Sequence, residues 1–221
     1  MSKQEPVEIN DLEKDSEKAL RLLRLAANQG NVVSQYNLGV MYLTAKIVTQ
    51  DYDQSVKWFQ KAADLEYAPA QYALGYMYAD GKGVEVNDKE AVKWYKKAAE
   101  QGHVQAQYIL GKMYYRGYYH GDGIEQDYKE AVRWWQLAEE QGHAEAQCNL
   151  GRMYYHGDGI EQNINGAHHY FHKAADQGNA NAQYYLGRIS ENGEYIRKHH
   201  PSAVKWYKLA ADQGHSAAKE C

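Results

Sequence analysis

The chain has 221 residues and a formal net charge of −4, so the totals give no sign of the basic surface that nucleic-acid binding requires. No apolar run is long enough to cross a membrane, and membrane insertion is therefore not expected. The 21 tyrosines against 2 phenylalanines are typical of thin, half-wet cores and of binding faces.

The first 14 residues are acidic and lack the apolar core of a signal peptide. We expect residues 1–14 to be a flexible segment ahead of the first helix. The same observation indicates a cytoplasmic protein, or a periplasmic or secreted one if a signal peptide has been removed. Cys148 and Cys221 are the only cysteines and have no metal-ligand spacing.

Two motifs alternate along the rest of the chain. The segment "AVKWYKKAAEQGH" at residue 91 returns as "AVRWWQLAEEQGH" at 131 and "AVKWYKLAADQGH" at 203, with weaker copies at 19, 55 and 167. The copies start 36 residues apart, apart from one interval of 40. The second motif reads "AQYALGYMY" at 70 and has variants at 34, 106, 146 and 182. Apolar residues in both recur at helical spacing, which predicts a repeated helix–turn–helix.

Start and stop signals delimit the second helix of each repeat. Residues that favour a helix N-terminus stand four positions before the first motif: Asp15, Asp51, Asn87, Asp127, Asn163 and His199. Glycines that tolerate the left-handed conformation of a helix end follow it: Gly30, Gly102, Gly142, Gly178 and Gly214. The prediction is an all-α protein, an α-solenoid of about five helix-turn-helix repeats of 36–40 residues, forming a right-handed superhelix.

The segments "LGVMY", "LGYMY", "LGKMY" and "LGRMY", with the joint "AAEQGH", resemble the SEL-one-like repeat (SLR) family, a relative of the tetratricopeptide proteins. The resemblance covers residues 15–221. We name the Leu-Gly helix of each unit helix A and the Trp-Tyr helix helix B. The predicted units are 31–66, 67–102, 103–142, 143–178 and 179–214. Residues 15–30 are expected to be a capping helix B, and 215–221 a partial helix A.

The interval of 40 comes from four extra residues, 117–120, between helix A and helix B of the third unit. One interpretation is that helix A gains a turn, and the other is a bulged loop at Gly117. The insertion is either a loop extension without function, which loops tolerate, or a tyrosine-rich segment at the edge of a binding groove.

Other motifs are better explained by structure than by chemistry. The Gly-x-Gly loops at Gly81/Gly83, Gly121/Gly123 and Gly157/Gly159 are interpreted as turns, because they lie between helices and recur with each repeat. His168 and His172 are one helical turn apart, with His199 or His200 as a conceivable third ligand. In the other repeats the position of His168 holds valine or leucine, and the position of His172 holds lysine, glutamine or arginine. One histidine is therefore expected to face the core and the other solvent, so no metal is predicted. Cys148 replaces a tyrosine and is expected to be inert.

The resemblance to tetratricopeptide proteins implies that helix A lines a concave groove. Matched positions form three rows there: Tyr36, Tyr72, Tyr108, Cys148 and Tyr184; then Val40, Tyr76, Lys112, Arg152 and Arg188; then Leu43, Ala79, Tyr115, Tyr155 and Glu191. Such a groove is aromatic and becomes basic in units three to five, which suits an extended peptide. The first row recurs so regularly that inter-repeat core is an equal alternative. The predicted partner-binding residues are Tyr72, Tyr76, Tyr108, Lys112, Tyr115, Arg116, Tyr118, Tyr119, Arg152, Tyr155, His156 and Arg188.

The predicted function is a protein–protein interaction scaffold or adaptor with no catalytic residues, no metal and no cofactor. The resemblance leaves two alternatives: an immunity or inhibitor protein that neutralises a secreted bacterial toxin, and, less favoured, a β-lactam-binding or hydrolysing enzyme. The enzyme alternative lacks the Ser-x-x-Lys motif of a serine nucleophile. The expected partner is a protein or peptide, not nucleic acid, and end-to-end self-association through the C-terminal repeat is a further expectation.

Overall fold

The structure is a computed structural model that describes residues 9–45, 48–117, 125–194 and 199–220. These residues form eleven α-helices and one short 3₁₀ helix, with no strand among them. The helices are α1 (Ile9–Asn28), α2 (Val32–Thr44), α3 (Tyr52–Asp64), α4 (Ala68–Asp80), α5 (Asp88–Glu100), α6 (Val104–Arg116), α7 (Tyr128–Glu140), α8 (Ala144–His156), α9 (Ile164–Asp176), α10 (Ala180–Asn192) and α11 (His200–Asp212). The all-α solenoid prediction is confirmed.

The helices belong to two compact units, residues 1–103 and 104–221. Even-numbered helices are the predicted A helices, and odd-numbered helices are the B helices. Within each unit a helix A packs on the helix B that follows it, and that helix B packs on the next helix A. In the second unit α8 and α10 also touch each other directly, so consecutive A helices share one face there.

Helix A and helix B of a repeat interlock through the Leu-Gly glycine. A Cβ atom added at this glycine would lie 2.3–2.6 Å from the nearest ring atom of the following helix B, closer than real side chains approach. The pairs of glycine and ring are Gly39 with Phe59, Gly75 with Tyr95, Gly111 with Trp135, Gly151 with Phe171, and Gly187 with Tyr207. Glycine is therefore required by the close approach of a ring, because only a residue without a side chain leaves room for it.

Side-chain caps begin the B helices at the predicted positions. The side chains of Asp51, Asn87, Asp127 and Asn163 accept hydrogen bonds from backbone N–H groups two or three residues ahead, and His199 caps α11 in the same way. The first helix differs from the prediction. It begins at Ile9, so Asp15 lies inside it and residues 9–14 are helical instead of part of a flexible segment. Helix-forming residues such as Leu12, Glu13 and Lys14 continue the helix toward the N-terminus without a breaker.

The joint between one repeat and the next contains a left-handed residue. Gly30, Gly102, Gly142, Gly178 and Gly214 have φ between 83° and 90°, as the sequence predicted. Glu66 occupies this position at the end of the first repeat and has φ of 57°.

The four extra residues do not lengthen helix A. Helix α6 ends at Arg116 and has the same 13 residues as α4, α8 and α10. Gly117 has φ of 60° and takes the place that Gly81, Gly157 and Gly193 take after the other A helices. The insertion therefore lies in the connection beyond Gly117, where residues 118–124 are outside the described residues.

Pairs of glutamine side chains lie in the joints between repeats. The side-chain Nε2 of a glutamine at the end of helix B donates to the Oε1 of a buried glutamine in helix A at 2.7–2.9 Å. The pairs are Gln101 with Gln71, Gln141 with Gln107, Gln177 with Gln147, and Gln213 with Gln183. In the first joint Leu65 stands where the donor should be, and the buried Oε1 of Gln35 has no hydrogen-bond partner among the residues that the structure describes. A buried acceptor without a partner destabilises the folded state.

Replacing Leu65 by glutamine is expected to raise the free energy of unfolding by about 1 kcal/mol, because it supplies the missing donor to Gln35. The measurement is urea unfolding followed by circular dichroism. Leu65→Glu is the matched control, since it has the same length and a carboxylate that cannot donate at neutral pH. Equal stability of the two variants would contradict the hydrogen-bond explanation.

Candidate functional site

One face of the A helices in the second unit presents the predicted binding rows. The fifth, ninth and twelfth residues of a helix are spaced i, i+4 and i+7 and so lie on one side. We call this surface the helix-A face and define it by Tyr108, Lys112 and Tyr115 of α6, Cys148, Arg152 and Tyr155 of α8, and Tyr184, Arg188 and Glu191 of α10.

The fifth residue of helix A packs into the joint with the next repeat. Tyr108 stacks on His143 with ring centroids 4.5 Å apart, and Tyr184 stacks on His215 at 4.6 Å. The imidazoles also cap helices, because the Nδ1 of His143 accepts from the backbone N–H of Ala146. Both tyrosines remain half-buried. These two tyrosines therefore take part in packing between repeats while part of their surface stays accessible.

The fourth repeat replaces both members of this stack. Cys148 takes the place of the tyrosine, and Asn179 takes the place of the histidine and caps α10 through its Oδ1. Burial raises the pKa of the Cys148 thiol to about 12, so the group stays protonated at neutral pH. Its expected inertness agrees with this environment.

Acidification is expected to destabilise the protein through the joint histidines. Burial lowers the pKa of His143, against a smaller opposing effect of Glu145, and burial also lowers the pKa of His103. Below about pH 6.5 these histidines bind protons more readily in the unfolded chain than in the folded one. The folded state is therefore fully stable with respect to them above the ordinary pKa of about 6.5, and its free energy of unfolding declines as the pH falls below that value.

The measurement is urea unfolding at pH 7.5 and pH 5.5. His143→Asn, which introduces the residue found at the equivalent Asn179, should lose less stability between the two pH values than the unsubstituted protein. An identical loss in both proteins would exclude His143 as a source of the pH dependence.

The ninth residue of helix A supplies a line of cations in the second unit. The Lys112 Nζ lies 5.6 Å from the ring centroid of Tyr108. The Arg152 Cζ lies 5.9 Å from the Tyr115 ring, and the Arg188 Cζ lies 5.9 Å from the Tyr155 ring. The two arginines reach from one helix A to the preceding one. Each cation is thus held over an aromatic face, which restricts where its charge lies.

Lys112, Arg152 and Arg188 have no salt bridge to a carboxylate within the described ranges, in contrast to Arg133 and Lys173 of helix B. Arg133 pairs with Glu130 at 3.2 Å, and Lys173 pairs closely with Glu139. The Nε of Arg152 is buried and has no hydrogen-bond partner among the residues described. The helix-A face therefore carries three cations without a salt bridge among the described residues, and Glu194 acts electrostatically on Arg188.

The first unit does not continue this basic line. The ninth residues of its A helices are Val40 and Tyr76. The Lys82 Nζ lies over the Tyr76 ring, bonds the Tyr76 hydroxyl and forms a salt bridge with Asp80 at 3.1 Å. Tyr72, the other predicted binding residue here, is half-buried and stacks on His103 at 4.7 Å.

A cavity of about 440 Å³ lies beside the helix-A face, lined by Tyr155, His156, Gln162, Ile164 and Glu194. The Tyr155 hydroxyl donates to the Glu194 Oε1 at 3.1 Å, and the tyrosine is only 9% exposed. His156 is exposed at the end of α8, and Arg116 is exposed at the end of α6. The predicted Tyr118 and Tyr119 lie outside the described residues.

Sequence reasoning missed Tyr185. This residue stacks on Phe171 with ring centroids 4.7 Å apart and meets the edge of Tyr155 at 5.6 Å, so it supports the cavity wall. Its signal was present in the sequence, since "AQYYLG" has a tyrosine where the other copies have alanine, isoleucine or asparagine.

The remaining motifs are accounted for structurally. A Cβ at Gly83 would lie 2.6 Å from the backbone of Tyr52, and one at Gly159 would lie 2.3 Å from the Tyr128 Cβ, so these loops are close-packed turns. Gly121 and Gly123 are outside the described residues.

The prediction that one of His168 and His172 faces solvent is wrong. Both are half-buried, because Trp206 of α11 covers His172 with ring centroids 5.3 Å apart. His199 caps α11, and the structure as described holds no group of three or more residues suited to a metal. None of the helices described is long and apolar enough to cross a membrane.

Helix pairs that stack through glycine joints, repeat after repeat, define a helical repeat solenoid. The Sel1 repeat profile matches residues 9–31, 32–67, 68–103, 104–143, 144–179 and 180–215. The chain belongs to the Sel1 repeat family, whose members mediate protein interactions.

Solved structures agree with this assignment. A Sel1 repeat protein from Oxalobacter formigenes has a TM-score of 0.75 and 32% identity, over 90% of this chain and 86% of that chain. A protective antigen of uropathogenic Escherichia coli with an SLR fold has a TM-score of 0.58 and 34% identity, over 93% of this chain and 51% of that chain. An immunity protein from Pseudomonas aeruginosa, with a TM-score of 0.51 and 19% identity over 96% of this chain and 85% of that chain, is similar in fold alone. No curated protein matches the sequence.

Proposed function

We propose that the protein is an interaction scaffold whose helix-A face binds a negatively charged segment of a partner protein. The observation that carries the proposal is the line formed by Lys112, Arg152 and Arg188, three cations that lie over tyrosine rings and have no salt bridge in the described ranges. Tyrosine supplies contact area with few rotatable bonds, and arginine can bind a carboxylate through two N–H groups.

Binding without catalysis is part of this proposal. The one cysteine in the described residues is Cys148, a buried thiol whose raised pKa opposes formation of a nucleophilic thiolate. The joint histidines cap helices and stack on tyrosines, so their rings already have structural partners. These environments favour a surface that recognises a partner over one that performs chemistry on it.

The test is charge reversal at Lys112 and Arg152. The variant Lys112→Glu/Arg152→Glu is expected to lose binding to its protein partner by at least about 100-fold, because two attractive contacts become repulsive. Partners are identified by affinity capture and mass spectrometry, and their affinities are then measured with purified proteins.

The matched control is Arg133→Glu/Lys173→Glu, which makes the same change in net charge on the B helices of the same unit. It should bind as the unsubstituted protein does. Circular dichroism and thermal unfolding establish that both variants are folded. Undiminished binding by the folded Lys112→Glu/Arg152→Glu variant would contradict the proposal. If the captured partner is a toxin whose activity the protein blocks, the scaffold acts as an immunity protein through the same face.

A further inference from the structure

Helix α9 differs from the other B helices at two positions that hold histidine. Its fifth residue is His168, and its ninth is His172. The equivalent positions in the other repeats hold valine or leucine and then lysine, glutamine or arginine. The other repeats therefore pack without histidine at either place, so the pair in α9 is a departure from the repeat pattern that packing alone does not require.

The fifth position of helix B is an unfavourable place for a polar ring. Its equivalent in the third repeat, Val132, is only 6% exposed. His168 is half-buried at this place, and the transfer of imidazole nitrogens from water into a protein costs free energy that valine does not incur. Binding of a ligand by the ring would offset that cost.

The two imidazoles lie against each other on one side of α9. Residues four apart on a helix share a face, and the ring centroids of His168 and His172 are 4.5 Å apart. Two histidines at this spacing on one helix can bind the same zinc ion, as they do in metalloproteases with the His-Glu-x-x-His motif. The prediction of no metal assumed that the two side chains face different environments, whereas both are half-buried.

The surroundings of the pair favour binding of a cation. Burial, followed by the neighbouring His172 and His169, lowers the pKa of His168 to about 4. Its imidazole is therefore neutral at pH 7, which is the form that binds a metal ion. Trp206 of α11 packs against His172 with ring centroids 5.3 Å apart. A side chain whose rotation is already limited by packing loses less entropy when it binds.

We propose that His168 and His172 form a two-histidine site for a divalent transition-metal ion, which binds Cu²⁺ most tightly. Imidazole nitrogen suits copper, nickel and zinc, and the affinity of a given site for these ions is highest for Cu²⁺. Mg²⁺ and Ca²⁺ prefer oxygen ligands and should not bind. The residues described include no group of three or more suited to a metal, so water fills the remaining coordination positions. The site lies on a helix B and not on the helix-A face, so it is independent of the proposed function.

The experiment measures binding of CuCl₂ to the full chain without a histidine tag, by isothermal titration calorimetry at pH 7.5. The tightest class of site should hold one Cu²⁺ per chain. Zn²⁺ should compete for this site with lower affinity, and Mg²⁺ should not compete. Displacement of Cu²⁺ by Mg²⁺ would overturn the proposed chemistry of the site.

Variants tie the tight site to the two histidines. His168→Val and His172→Gln introduce the residues that the third repeat has at these positions, so both variants should fold, as circular dichroism would show. Each should weaken Cu²⁺ binding by at least about tenfold, because one of two coordination bonds is lost. His169→Gln is the matched control, since His169 is exposed on the same helix, and it should bind normally. Unchanged affinity in both folded variants would overturn the proposal.

Trp206 provides a second measurement that a change in stability alone would not produce. Cu²⁺ is paramagnetic and quenches the fluorescence of an indole beside it, so tryptophan fluorescence should fall as the tight site fills. Trp206→Phe should bind Cu²⁺ with the same affinity in calorimetry but lose most of this quenching. Quenching of the same amplitude in Trp206→Phe would place the ion away from His172 and contradict the proposed site.

Discussion

Phe171→Ala is expected to lower the free energy of unfolding by about 3–5 kcal/mol, the range measured for removing a buried aromatic side chain. Phe171 has no exposed surface. Its ring presses on the backbone at Gly151 in α8 and stacks on Tyr185 of α10 at 4.7 Å, so one side chain joins three helices. The cavity left by alanine lies inside a rigid helix pair, which limits how far the neighbours can collapse into it.

The measurement is urea unfolding followed by circular dichroism. Leu22→Ala is the control, because Leu22 is 58% exposed and its loss should change stability by no more than about 0.5 kcal/mol. A loss of less than about 1 kcal/mol for Phe171→Ala would mean that the fourth repeat does not depend on this ring.

Gly151→Ala is expected to destabilise the protein by about 1–3 kcal/mol, although alanine favours a helix by about 1 kcal/mol over glycine. A Cβ at this position would lie 2.6 Å from the Phe171 Cδ1 atom. The Phe171 ring is also stacked on Tyr185, so a shift of the ring would disturb its contact with α10. Steric overlap therefore outweighs the gain in helix propensity.

A double-mutant cycle tests this explanation directly. In a Phe171→Ala background the overlap is absent, so Gly151→Ala should become stabilising by about 1 kcal/mol. A change of sign between the two backgrounds is the expected result. Stabilisation by Gly151→Ala in the unsubstituted protein would contradict the close approach of ring and backbone.

Gly151 and Phe171 show which features of the fold can be predicted from the sequence and which cannot. The recurrence of Leu-Gly and of an aromatic residue on the next helix identified the repeat and its helices. The sequence could not show that Gly151 and Phe171 touch, because their separation along the chain says nothing about which faces meet. It likewise predicted His168 and His172 on different sides, whereas Trp206 of the following repeat leaves both half-buried.

The helix-A face also has features that the sequence predicts and features that only the structure shows. Matched positions in helix A group Lys112, Arg152 and Arg188, since a helical period of 3.6 residues places them by counting alone. Their tyrosine neighbours and their lack of salt bridges in the described residues depend on contacts between repeats. The unpartnered Oε1 of Gln35 depends in the same way on what the neighbouring helix places beside it.

The sequence by itself determined the repeat length, the helical class, the caps and the glycine joints of this protein, because these depend on local backbone preferences that recur with each copy. Only the tertiary structure decided which aromatic rings fill the joints, where helix α6 ends relative to the insertion, and which cations remain without a salt bridge among the described residues. Those features depend on side chains from helices distant in sequence, and their energies are set by distance and burial, which composition and spacing do not contain.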